Sequence, residues 1–149
     1  MKLPPFSEAE LIDFLAGKWI AKLATICKDG KPRMSSMWYE YRNDHVALDT
    51  YERSETVQNL RSNPTASLLV DSHETPYRGV HFYGVAEVAD RLSSLDEIAQ
   101  IWNRYTTPED AMGRAQTVSR RGPRVGIRFV PERKVTYDYG KPFPQSLTL

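Results

Sequence analysis

The sequence is poor in the residues that build self-sufficient reactive centres. It has one cysteine and three histidines in 149 residues, so an internal disulfide is excluded. His45, His73 and His81 stand apart from one another, and no H-E-x-x-H, C-x-x-C, G-x-S-x-G or Gly-rich phosphate loop occurs. This argues against a metal enzyme or one with its own nucleophile. Cys27 lies in a strand-like run and is read as a small strand residue, because a reactive thiolate needs electropositive neighbours. His81, between Val80 and Phe82, is read as a hydrogen-bonded strand histidine. An excess of one charge is missing too: 20 basic residues face 19 acidic ones, which gives no global field to gather nucleic acid. No window approaches the about 20 apolar residues needed to cross a bilayer. The N-terminus, "MKLPPFSEAELIDF", lacks the apolar run of a signal peptide. With the lone cysteine, these features place the protein in a reducing compartment, the cytoplasm.

What remains is ample for one domain, 1–149, which at this size buries about 70% of the surface its unfolded chain exposes. Ser7 and Glu10 form a capping-box signature ahead of Leu11, Phe14 and Leu15, and so predict a short amphipathic helix ending near Gly17. The period then falls to two. "WIAKLATICKDGKPRMSSMWYEYRNDHVALDTY" holds three strand-like runs broken at Asp29-Gly30 and Asn43-Asp44, a meander of antiparallel strands. A short helix is expected over Ser54 to Asn63, then strands "TASLLVD" and "GVHFYGVAEVAD", with Gly84 as a bulge or close backbone approach. A second capping box, Ser94 and Glu97, opens a helix striped with Leu95, Ile98, Trp102 and Tyr105, and Pro108 is expected to close it. Arg124 to Val130 alternates as a strand, and "KVTYDYG" reads as a last short one. Hairpins with helices at the margins predict an α+β fold, an antiparallel barrel with peripheral helices.

Three stretches carry candidate chemistry. In "TYERSETVQNLRSNP" the first-turn amides and macrodipole of the helix suit an anion, with Arg53, Ser54 and Thr56 as side-chain donors. The plainer reading is a helix capped by Ser54, and Glu52 with Glu55 leaves the local charge at minus one. In "MSSMWYEY", backbone groups beside Ser35, Ser36 and Met37 could bond the edge of a planar heterocycle closed off by Trp38 or Tyr39; equally, these aromatics could fill a barrel or an interface. From Ala111 to Arg128 there are five arginines and no acidic residue. They are either a solvated surface or, around Arg120, Arg121 and Arg124 in a loop, a partner for an anionic ligand or an acidic edge.

Taken together, "LATICKDGKPRMSSMWYEY", "RSETVQNLRSNPTASLLVD", "PYRGVHFYGVAEV" and "RVGIRFVPERKVTYDYG" resemble, in order and spacing, the pyridoxamine 5'-phosphate oxidase-like family of flavin-binding split β-barrels, including its flavin- and deazaflavin-dependent oxidoreductase branch. The resemblance implies a homodimer of six-stranded split barrels with FMN in a groove shared by both subunits; coenzyme F420 is the alternative cofactor, with FAD and haem as further candidates. It carries ring contacts over to Ser35, Ser36, Met37, Trp38 and Thr50, and the phosphate to Arg53, Ser54 and Thr56. Many relatives have a lysine where this chain has Thr56, and Arg53 or the Arg120 to Arg124 loop of the second subunit are candidate replacements. The implied function is hydride transfer between the cofactor and a small organic substrate, with Tyr77 and Arg78 as candidate substrate-side residues. No catalytic residue is assigned, because the cofactor holds the reactivity. The rival is a protein of the same fold that stores or senses a flavin or haem without turnover.

Overall fold

The computed structural model describes residues 3–143. Helix α1 (Glu8–Leu15) begins at Ser7 with the expected reciprocal capping box and buries Leu11, Phe14 and Leu15. Strands β1 (Ala21–Ile26) and β2 (Pro32–Met37) form a hairpin whose turn uses Gly30 at φ 81°. Strands β3 (Tyr39–Tyr41) and β4 (Val46–Tyr51) turn at Asn43, at φ 69°, a conformation asparagine tolerates better than most residues. Next come α2 (Glu55–Ser62), β5 (Thr65–Asp71), β6 (Arg78–Leu92), α3 (Leu95–Trp102), α4 (Pro108–Arg121) and β7 (Arg124–Asp138).

The fold is α+β, with four helices around one antiparallel sheet ordered β2-β1-β5-β6-β7-β4-β3 among the described residues. Its two margins, β2 and β3, are consecutive in the chain with only Trp38 between them. The same segment therefore pairs with β1 through its first half and with β4 through its second, wrapping the sheet around its core. The described residues form seven strands where the resemblance implies six, and the break at Trp38 divides the expected second strand in two. Inward residues Leu23, Leu48, Leu68, Phe82 and Phe129 are almost fully buried with Tyr39 and the apolar face of α1.

Two further expectations need correction. Pro108 does not close a helix but opens α4: Thr107 is the N-cap, Pro108 sits in the first turn, and Glu109 and Asp110 meet the positive end of the dipole. The arginines expected in a loop thus largely lie on a helix. The last two strands are also one, β7, which runs past Pro131. A register irregularity between Tyr83 and Gly84 lets the ladder with β6 pass that residue. The sequence reading of Gly84 as a close approach is borne out, since a Cβ there would collide with the Val130 carbonyl oxygen.

Helices α3 and α4 pack together through Ile98, Ala99, Ala111 and Ala115, with Trp102, Met112 and Val118 around them. The turn between them is tied to the barrel. Arg104 Nη2 donates to the Leu15 and Gly17 carbonyls at 3.0 and 2.9 Å, satisfying the end of α1, and Arg104 Nη1 donates to the Tyr39 carbonyl. The Tyr105 hydroxyl donates to the Trp19 carbonyl at 2.7 Å. No helix among the described residues is long and apolar enough to cross a membrane.

Candidate functional site

The pleat of β2 decides how its residues can serve a ligand. Ser35 pairs with buried Leu23 and Met37 with buried Ala21, so both face inward, whereas Ser36 pairs with Lys22 on the outer face. Their side chains cannot all meet one ligand, and only the backbone offers a common edge. Trp38, at the break, stacks on Tyr105 at 4.6 Å and 4° and meets Trp102 edge-on at 5.3 Å. It is therefore half-buried in aromatic packing and presents one margin to a cleft.

That cleft, about 370 Å³, brings together Ser36, Met37, Trp38 and Thr50 of the expected ring contacts, with Tyr51, Trp102 and Arg114 alongside. Asp49 and Arg124 lie beneath it. The Arg124 guanidinium donates to the Asp49 carboxylate at 2.5 Å and to the Asp49 carbonyl at 3.0 Å, and the Ser93 hydroxyl donates to the other carboxylate oxygen at 2.5 Å. Burial pushes the Asp49 carboxyl up, and the Ser93 hydroxyl and the Arg124 guanidinium pull it down. Arg124 also lies over the Tyr51 ring at 4.7 Å. This pairing engages Nε and Nη2 of Arg124 with Asp49, and Arg124 remains part of the cleft lining.

The expected anion end lies on α2. Ser54 is its N-cap, accepting from the Val57 amide at 3.2 Å, and the amides of Glu55 and Thr56 have no acceptor among the described residues. Glu52 and Glu55, which outweigh Arg53 in the sequence, are engaged elsewhere: Glu52 with Arg61 and Glu55 with Arg33, both at 2.9 Å. Arg53 is exposed and forms no ion pair among the described residues. Counting all five groups, three arginines against two glutamates, the local charge is plus one rather than minus one. Thr56 departs from the expectation. It is 4% exposed, and its hydroxyl is paired with Ser35 Oγ at 2.9 Å, so it braces α2 against β2 rather than facing outward.

Ser35, Arg53, Ser54 and Thr56 thus lie outside the cleft lining, along its α2 side, while Ser36, Met37, Trp38 and Thr50 form the cleft proper. Tyr77 and Arg78 are remote from both. Tyr77 is exposed and Arg78 lies over the Phe14 ring at 5.4 Å beside a different cleft. A larger cleft, about 590 Å³, lies between α3 and the sheet but contains none of the expected residues. Much of its charge is already paired, Arg91 with Glu97 at 2.5 Å and Arg128 with Asp44 at 3.4 Å. The sequence reading missed Tyr51, Trp102 and Arg114 as cleft residues. The signal for Arg114 was present in "TPEDAMGRA", a proline-led helix start that fixes its helical position.

Comparison with known proteins gives a consistent answer. The family described as "Pyridoxamine 5'-phosphate oxidase" matches residues 7–136. A conserved hypothetical protein from Mycobacterium tuberculosis is 32% identical, with a TM-score of 0.77 over 97% of this chain and 93% of that one. An F420 reductase is similar in fold at 20% identity and a TM-score of 0.65, covering 83% of this chain and 94% of that one. The haem storage protein of Vibrio cholerae is similar at 23% identity and a TM-score of 0.66, covering 93% and 95%.

Proposed function

The chain belongs to the pyridoxamine 5'-phosphate oxidase family, and from that membership we propose that it is an FMN- or F420-dependent oxidoreductase of the cytoplasm, acting on a small organic substrate. The observation that carries this reading is the union of a cleft walled by Trp38 and Thr50 with an Arg53, at the start of α2, that forms no ion pair among the described residues. The residues present fit a flat ring with an anionic tail. The backbone of Ser35, Ser36 and Met37 offers hydrogen bonds to a ring edge, and Arg53, Ser54 and the open amides of α2 offer donors to a phosphate. Thr56 acts indirectly, holding Ser35 and the helix start in register. When bound, the cofactor supplies the hydride chemistry. The protein's part is to bind and aim the ring and to keep water from its face. Trp38, locked between Tyr105 and Trp102, does this without needing to reorganise.

A second copy completes the site in this proposal. Met34, Ala24, Ser67, Tyr83 and Arg133 form one continuous row across β2, β1, β5, β6 and β7, and Ser36, Lys22, Leu69, His81 and Val135 form the next. This outer face carries Met34 and Val135 at 64% and 42% exposure. A sheet face that mixes exposed apolar side chains with polar and charged ones suits an isologous partner, and Ser36 would bring it to the cleft.

A second reading, storage or sensing of a flat ligand without turnover, is favoured by the fold shared with the haem storage protein. The absorption spectrum of the purified protein, followed by titration with FMN, F420, FAD and haem, separates the two. Arg53→Ala is expected to weaken FMN about 10- to 100-fold, the value of one charge-assisted hydrogen bond. Unchanged FMN affinity after replacing Arg53 and Ser54 together would remove the phosphate assignment. A stably bound cofactor that neither nicotinamide donors nor reduced F420 can reduce would support the storage reading.

A further inference from the structure

The expected ring contacts occupy only part of the cleft. Ser36, Met37 and Trp38, with Thr50, form that part, and Tyr51, Trp102, Arg114 and Arg124 form the rest. Two arginines and one aspartate, Asp49, line the cleft, which leaves its lining a net charge of plus one. Arg124 is 8% exposed and its orientation is fixed. Its Nε and Nη2 are held by Asp49, and its guanidinium lies 4.7 Å from the centre of the Tyr51 ring and 5.8 Å from that of the Trp102 ring. Nη1 has no acceptor among the described residues. No fully buried side-chain nitrogen or oxygen lacks a partner among those residues, so Nη1 reaches open space, and Arg124 lines this cleft. The pair with Asp49 needs Nε and Nη2 alone, and the third nitrogen is left as a preset donor. The Arg114 guanidinium, exposed on α4 at the same cleft, forms no ion pair among the described residues.

We infer that Arg114 and Nη1 of Arg124 hold the carboxylate of the substrate, so that this chain acts on a small monoanionic carboxylic acid whose body lies against the Trp102 and Tyr51 rings. The inference rests on the cofactor reading above and deepens it by naming the class of substrate. The anion concerned is the substrate's, and Arg53, outside the cleft lining, takes no part in holding it. Charge decides for a monoanion: one carboxylate neutralises the lining, whereas a phosphate monoester would bring a second negative charge with nothing to offset it. The two donors divide the work. Arg124 is already in place and loses no freedom on binding, while the longer reach of Arg114 lets it close on the second carboxylate oxygen. The two aromatic rings suit a planar or apolar body.

The test is a calorimetric titration of the full chain, saturated with FMN or F420, with benzoate, its neutral isostere benzamide, and phenyl phosphate. The ratio of benzoate to benzamide affinity is the readout, because it cancels any effect of a substitution on the ring site that both probes share. Wild type is expected to prefer benzoate about 10- to 100-fold, the value of hydrogen bonds to a charged group, and to bind phenyl phosphate no more tightly than benzoate. Arg114→Gln should cut the preference about tenfold, and Arg114→Lys should keep most of it. Asp49→Leu with Arg124→Leu, which replaces the ion pair by a packed apolar one, should cut it by a similar factor. A wild-type preference near one, or a preference that survives both the glutamine and the double leucine variant, overturns the carboxylate assignment while leaving the cofactor reading intact. Phenyl phosphate that binds more tightly than benzoate overturns the monoanion class. Wild-type protein that takes up neither FMN nor F420 overturns both readings.

Discussion

Replacing Asp49 with alanine would strand the Arg124 guanidinium in the interior. The two side chains are 4% and 8% exposed, so neither can recover its lost bond by turning to water. Removing one partner of a buried ion pair costs about 3–5 kcal/mol, most of it the penalty of the uncompensated charge. Two features moderate the loss here. Arg124 Nη2 keeps its bond to the backbone carbonyl at position 49, 3.0 Å away, and its guanidinium keeps the Tyr51 face at 4.7 Å. The Ser93 hydroxyl loses its acceptor as well. The expected destabilisation is therefore about 3 kcal/mol, near the lower end of that range. Urea denaturation followed by tryptophan fluorescence would report it as a fall in midpoint with an unchanged slope. Leucine at both positions should recover much of the loss, because an apolar pair of fitting volume replaces a buried ion pair at little cost. A loss below about 1 kcal/mol for Asp49→Ala, typical of an exposed pair, would refute the account of a sealed floor beneath the cleft.

Two further outcomes follow from the fold. Gly84→Ala should cost about 3 kcal/mol, measurable in the same denaturation assay, because the new methyl group meets the Val130 carbonyl and the backbone of β6 or β7 must shift. The Glu97 carboxyl is held down at about 2, first by its bonds to Arg91 and then by the Ser94 amide. A depressed folded-state value stabilises above the unfolded value, near 4.5, and that contribution disappears as pH falls toward 2. Thermal unfolding of Glu97→Gln should consequently converge on that of wild type between those limits.

The sequence was most informative where structure is local. Ser7 with Glu10 and Ser94 with Glu97 mark two helix starts because a capping box lies within four residues, and Asp29-Gly30 marks its turn through the φ that glycine allows. Helix α4 escaped for a physical reason. Its packed stripe is built from alanines, which bury little area and leave a faint apolar period, and its proline, which in sequence suits a stop, serves in the first turn. The site was legible as residue types but not as groupings. Asp49 and Arg124 are 75 positions apart, and nothing near Thr56 reveals that its hydroxyl is taken by Ser35. Likewise the charges of Glu52 and Glu55 could be counted, but not assigned to Arg61 and Arg33.

Trp38 splices one length of backbone into both borders of the sheet. A slip by a single position on one side would turn every side chain of that half over, and with one linking residue the other half has no slack to take up the error. Both seams must therefore find their alignment together, and the aromatic nest around Trp38 doubles as the clasp that keeps them there.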